Sequence, residues 1–140
     1  IAEIKPMAVI TGNFHYYTPE NEKVSRTAWW REGQRKLLNK LRGTTKNLIY
    51  ISDTPRPLRD IPNCLASRNS KVCDSTERSR LAVIPGFEVI NPTPWLCSSY
   101  CPAILDGSVA YRDASHISVE MSLKLLPKFE QALIAKGLFA

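Results

Sequence analysis

The sequence predicts an α/β sandwich of three layers around a mostly parallel sheet. Three observations carry this. Short apolar runs recur at Met7 to Ile10, Lys46 to Ile51 and Phe87 to Ile90, each bounded by turn-forming residues. A long helical pattern separates the first two runs, and a second helical pattern closes the chain. Strands that are apolar almost throughout belong to sheets covered on both faces, which helical crossovers between parallel strands provide.

The first run follows Pro6 and ends at Thr11-Gly12-Asn13, a strand followed by a turn. Pro19 and Glu20 then open a helix expected to run from about Glu20 to Leu41. Val24, Ala28, Leu37, Leu38 and Leu41 sit at helical spacing in it, and Gly43 stops it. Ser52-Asp53-Thr54-Pro55 ends the second strand, and a loop rich in proline (Pro55, Pro57, Pro62) runs into the first two cysteines. Ser75 to Ala82 reads as a short helix. Asn91-Pro92-Thr93-Pro94 breaks the third strand, and Trp95 to Arg112 reads as loop, with Asp106-Gly107 inside it. Ser118 caps a last helix to about Lys136, with Val119, Leu123, Leu126, Phe129 and Leu133 as its apolar stripe. Pro127 is expected to kink or interrupt it, and Gly137 fits its end. In such sheets functional loops lie beyond the C-terminal strand ends. That directs attention to Thr11–Asn13, Ser52–Thr54 and the stretch from Asn91 to His116.

At 140 residues with 44% hydrophobic and 23% charged residues, the chain has the composition of one globular domain. No apolar run reaches the roughly 18 residues of a membrane span. Ile1 to Pro6 lacks the pattern of a signal peptide, so an exporting segment is expected outside these residues. The net charge of +6 suits anionic partners. The bases form no nucleic-acid arm, however, and Arg31, Arg35, Lys36, Lys40 and Arg42 read as the wet face of the first helix. Cys64 and Cys73 enclose a short polar stretch, and Cys97 and Cys101 enclose Ser98-Ser99-Tyr100. Neither pair is C-x-x-C and only two histidines exist, which is a poor fit to zinc. An even count in loop-like segments suits two local disulfides, Cys64–Cys73 and Cys97–Cys101, and an oxidising compartment; the other reading is four reduced thiols in a cytosolic protein.

His15 and His116 are the histidine candidates for a general base. Asp113 stands three residues before His116, in a loop just before a helix. A carboxylate so placed can reach Nδ1–H, fix the tautomer and stabilise the imidazolium that forms during catalysis. The same residues also read as a helix entry in which Asp113, Ser115 or Ser118 cap backbone N–H groups.

The context around that motif resembles the SGNH hydrolase family, whose last block is Asp-x-x-His before the final helix. It is most similar to the SGNH domains attached to acyltransferase-3 membrane proteins. The resemblance rests on Trp95-Leu96-Cys97, Cys101, Asp106-Gly107, Tyr111-Arg112-Asp113 and His116. Upstream it rests on Ile51-Ser52-Asp53-Thr54-Pro55, Cys64-Leu65 and Cys73. It implies that Asp113 orients His116, and that His116 serves as base and then acid for a serine nucleophile. It also implies that Gly12 and Asn13 form the oxyanion hole, although Gly12-Asn13-Phe14 departs from the family's Gly-x-Asn-Asp and also reads as a plain turn. Arg112 and His15 are candidates for substrate contacts; their plainer readings are a surface salt bridge and aromatic packing. Of the tryptophans, at least one of Trp29 and Trp30 is expected in the core, and Trp95 is expected to pack on the adjacent disulfide.

No Gly-Asp-Ser occurs in the chain. The resemblance therefore implies that residues 1–140 are the C-terminal portion of an SGNH-type domain, with the first strand and the serine on an upstream piece. The implied activity is acyl transfer to, or hydrolysis from, hydroxyls of cell-envelope glycans or glycolipids, outside the cytoplasm. The implied partners are an acyl donor, a sugar or glycolipid acceptor and an acyltransferase-3 membrane domain, with no nucleic acid, metal or organic cofactor. The alternative is a non-catalytic, basic glycan-binding domain on the same fold, which the absent Gly-Asp-Ser favours.

Overall fold

A computed structural model describes residues 3–12, 19, 23–76 and 84–138. They gather into two compact units: Ile1–Asp53 with Leu81–Ile90, and Thr54–Arg80 with Asn91–Ala140.

The first unit holds β1 (Ala8–Gly12), α1 (Arg26–Leu41), β2 (Asn47–Ile51) and β3 (Glu88–Ile90). The strands form a parallel sheet in the order β1-β2-β3, with Ala8 opposite Asn47, Gly12 opposite Ile51, and Ile51 opposite Ile90. The central position of β2 follows from its sequence, since Leu48, Ile49 and Tyr50 are all buried and leave no polar face to turn outward. Leu38 and Leu41 of α1 pack with Leu48, Tyr50, Ile84 and Phe87. Tyr50 meets Trp30 and Phe87 edge to face, with centroids 5.8 and 6.5 Å apart. The expected helix from Glu20 is shorter in the structure. Ser25 Oγ accepts from Ala28 N and starts α1 at Arg26, while residues 20–22 lie outside the described residues.

Gly86 joins this core with φ +90°. A Cβ there would stand 2.7 Å from Leu38 Cδ2, and Leu38 is 6% exposed with little room to retreat. Left-handed strain and overpacking act together at this position. Gly86→Ala is expected to cost about 2–3 kcal/mol, read as a lower urea midpoint with unchanged slope.

The second unit holds α2 (Ile61–Ser67), α3 (Ser70–Cys73), α4 (Thr93–Leu96), β4 (Ile104–Leu105), β5 (Ser108–Val109) and α5 (Val119–Ala135). Its core is Ile61, Cys73, Leu96, Ala103, Ala110, Tyr111, Met121 and Leu125. Disulfides join Cys64 to Cys73 and Cys97 to Cys101. Backbone hydrogen bonds in both directions between Ser75 and Cys101 tie the two cystine segments together. The helix expected over Ser75 to Ala82 is not seen at Ser75, whose backbone is engaged in that bridge; residues 77–83 lie outside the described residues.

Three expectations are corrected here. The stretch around the first cysteine pair is helical, because Asp60 caps α2 through Asn63 N and Pro62 occupies its first turn. The stretch from Trp95 to Arg112 contains a hairpin, β4 with β5, turned at Asp106 (φ +49°) and Gly107 (φ +76°). On α5 the buried residues are Met121, Leu125 and Leu133, whereas Val119, Leu123 and Leu126 are exposed. The helix also runs on through Pro127.

Candidate functional site

The loop between β5 and α5 is closed at its base like a small hairpin. Tyr111 bridges Ile117, Arg112 N donates to His116 O at 2.9 Å, and Ser118 N donates to Ala110 O at 3.0 Å. Ser118 Oγ accepts from Met121 N and so caps α5. Tyr111 anchors the loop from beneath, its side chain 1% exposed among Ile61, Cys73, Met121 and Leu125. Residues 112–116 are thereby held as a short excursion at the surface of the unit.

Asp113 organises that excursion. Its Oδ1 accepts from Ser115 N at 2.7 Å and from His116 N at 2.8 Å, a turn made by a side chain in place of a carbonyl. Its Oδ2 lies 2.7 Å from His116 Nδ1. One oxygen shapes the loop and the other takes the imidazole. A carboxylate can only accept, so Nδ1 carries the proton and Nε2 is left as the basic nitrogen. The His116 side chain is 63% exposed and Asp113 37%, so the ring edge is open to a reacting group. Ser115 Oγ stands 3.2 Å from both Asp113 Oδ1 and His116 Nδ1, and Arg112 Nε stands 3.7 Å from Asp113 Oδ2.

The backbone N–H groups of His116 and Ser115, with the imidazole added, hold the Asp113 carboxyl far below the usual carboxylate range. Because its folded pKa lies below the ordinary 3.8, Asp113 favours the folded loop above that pH. The contribution is lost as the pH falls below 3.8 toward the folded value. The carbon-13 shift of the Asp113 carboxyl is therefore expected to stay that of the ionised form down through about pH 4 and to change only in stronger acid.

Tyr111 also carries a buried hydroxyl with no hydrogen-bond partner among the described residues. Burial pushes its phenol above the ordinary value. An unpaired buried hydroxyl is a cost, so Tyr111→Phe is expected to raise stability by about 1 kcal/mol, read as a higher Tm.

The residues singled out from the sequence divide as follows. Asp113, His116 and Arg112 stand together in the second unit. Gly12 ends β1 in the first unit, opposite Ile51, where an added Cβ would make an ordinary 3.7 Å contact with Ile51 O. Asn13 and His15 lie outside the described residues. Ser115 is a further member of the Asp113–His116 network, beyond the capping role that its sequence position suggests. Its signal is the Asp-x-Ser spacing, which favours a side-chain turn of this kind.

No helix among the described residues is long and apolar enough to cross a membrane. No curated protein and no solved structure matches the chain. A family model described as an SGNH domain fused to AT3 domains matches residues 2–131, a span that includes the hydrogen-bonded Asp113 and His116. On that match, the chain belongs to the family of SGNH domains fused to AT3 domains.

Proposed function

We propose that this chain supplies the acid–base half of an extracytoplasmic O-acyltransferase or acyl-esterase that acts on hydroxyls of cell-envelope glycans or glycolipids. The observation that carries the reading is the 2.7 Å contact between Asp113 Oδ2 and His116 Nδ1, made by a histidine whose ring edge is exposed. Family membership supports a hydrolase- or acyltransferase-like domain. The two disulfides support a compartment outside the cytoplasm, and fusion to AT3 domains supports tethering to a membrane.

In the proposed reaction, a serine outside these 140 residues attacks the carbonyl carbon of the acyl donor. His116 Nε2 takes the serine proton as the C–O bond forms, and Asp113 stabilises the resulting imidazolium. Gly12 and Asn13 are proposed as donors to the tetrahedral oxyanion. The donor's C–O bond then breaks and Nε2 returns the proton to the leaving alcohol. In the second half a sugar hydroxyl, or water, gives its proton to Nε2 and attacks the acyl-serine, and serine Oγ leaves with that proton. Arg112 and His15 are proposed to contact the acceptor.

A serine-reactive fluorophosphonate tests this in the protein carrying the intact domain. Labelling that is lost on His116→Ala supports the triad. Acyl transfer to an added glycan, measured against hydrolysis, separates transferase from esterase. A protein that takes no label yet binds glycans would be the basic glycan-binding domain instead.

A further inference from the structure

The +6 charge of the chain is not spread over it. Between Lys23 and Lys46 eight bases face one acid, Glu32; the whole chain has 19 bases to 13 acids, so elsewhere acids outnumber bases by 12 to 11. All eight of these bases are exposed. They belong to α1 and its two flanks. The buried arc of α1 carries Gln34, Leu38 and Leu41. On one outer flank, at helical spacing, stand Arg31, Arg35 and Arg42. On the other stand Trp29, Gly33, Lys36 and Lys40. Glu32 lies between the flanks and pairs with Arg35 at 2.6 Å and Lys36 at 3.9 Å. One carboxylate cannot offset the five bases of these two flanks, Arg31, Arg35, Lys36, Lys40 and Arg42. Like charges at i,i+4, Arg31 with Arg35 and Lys36 with Lys40, work against the helix, and α1 has no acid in its first turn to favour its N-terminus.

Trp29 adds a second feature. It is 44% exposed, and a Cβ at Gly33, one turn further on, would meet nothing within 4 Å. Trp29 and the side-chain-free Gly33 thus share one flank of the helix, with Lys36 and Lys40 following along it. An amphipathic ring flanked by long basic side chains, whose stems lie along apolar matter while their charges stay in water, suits the headgroup layer of a bilayer.

We infer that the outer face of α1 docks on an anionic lipid surface, with Trp29 at headgroup depth and Lys36 and Lys40 on lipid phosphates. The inference rests on the membrane-tethered reading above, which keeps a bilayer within reach. Docking of this kind would present the domain to lipid-linked donors or acceptors rather than to free solution.

The test is partition, between buffer and vesicles, of the SGNH domain with its serine-bearing piece and without the membrane domain, its folding checked first by circular dichroism. Vesicles of phosphatidylcholine containing about one-third phosphatidylglycerol are expected to bind it, and pure phosphatidylcholine vesicles are not. Roughly 1 M salt should release it. Lys36→Gln with Lys40→Gln is expected to weaken partition roughly thirtyfold, and Trp29→Phe should remove most of the fluorescence shift on binding. Both variants alter exposed side chains, and circular dichroism checks that they fold. Equal partition into both vesicle types would overturn the inference. So would unchanged partition of the double variant, or binding to a soluble anionic polysaccharide with none to vesicles. Fluorophosphonate labelling separates the two proposals. Labelled protein that ignores vesicles sinks the docking alone, and unlabelled protein that still partitions sinks the catalytic reading alone.

Discussion

Replacing His116 by alanine is expected to lower acyl transfer and hydrolysis on the order of ten-thousandfold, with KM changed little. The imidazole is the group proposed to carry the proton in both halves of the reaction. Its loss leaves only positioning and oxyanion contacts to lower the barrier. The side chain is 63% exposed, so no core contact goes with it and the Tm should hardly move. Asp113→Asn is the sharper experiment, because the two oxygens of Asp113 do different work. Asparagine Oδ1 can still accept from Ser115 N and His116 N, so the loop should keep its shape. Its Nδ2 would take the place of Oδ2, opposite His116 Nδ1. Two donors cannot share that contact. The ring is then driven to the Nε2–H tautomer, which cannot accept a proton from serine.

The expected outcome is a fall in kcat of roughly a thousandfold or more for Asp113→Asn, at an almost unchanged Tm. Asp113→Ala, which loses the loop-shaping oxygen as well, should fall at least as far in rate and also lower the Tm. If Asp113→Asn keeps its rate within about tenfold of the parent, Asp113 does not set the tautomer, and its place in the triad is lost.

How much of this was legible in the sequence depended on whether a segment's signal was local. β2 could be read because Leu48, Ile49 and Tyr50 are apolar without interruption, which few other structures tolerate. α2 was missed because Pro55, Pro57 and Pro62 read as a loop. Yet Asp60 followed by Pro62 is a helix-start pair, and both residues serve as one. The β4–β5 hairpin was also missed, although Asp106-Gly107 is a strong two-residue turn signal and both residues have positive φ. Two-residue strands are simply too short to show periodicity. On α5 the difficulty was different. Val119, Met121, Leu123, Leu125 and Leu126 surround the helix, so its period does not say which stripe faces inward. Contact with Ile61, Cys73 and Tyr111 in the core selects Met121 and Leu125. At the site itself, the spacing of Asp113 and His116 left capping and imidazole orientation as rivals. The structure contains both, since Oδ1 caps the turn while Oδ2 holds the ring. That division of labour is a property of the folded loop, because sequence spacing cannot assign two oxygens of one carboxylate.

The second large effect is expected from the cystines. Cys64–Cys73 closes a span of 9 residues and Cys97–Cys101 a span of 4. In the chain-entropy account these constrain the unfolded state by about 3 and about 2 kcal/mol. Together, at about 5 kcal/mol, they equal the lower end of the stability of a typical domain, about 5–15 kcal/mol. Cys73 is 0% exposed and Cys101 2%, so both also fill core volume. Cys64→Ala with Cys73→Ala should therefore lower the Tm by roughly 10 °C, more than Cys97→Ala with Cys101→Ala. Reduction by dithiothreitol should approach the sum of the two. Below the new Tm the Asp113–His116 contact should survive, because its loop is closed by backbone pairs at Tyr111 and Ile117 rather than by sulfur. A marginal reduced form would tie folding to an oxidising compartment, which is the physical content of the extracytoplasmic reading. A reduced protein with an unchanged Tm would remove that support, and the placement would then rest on family membership alone.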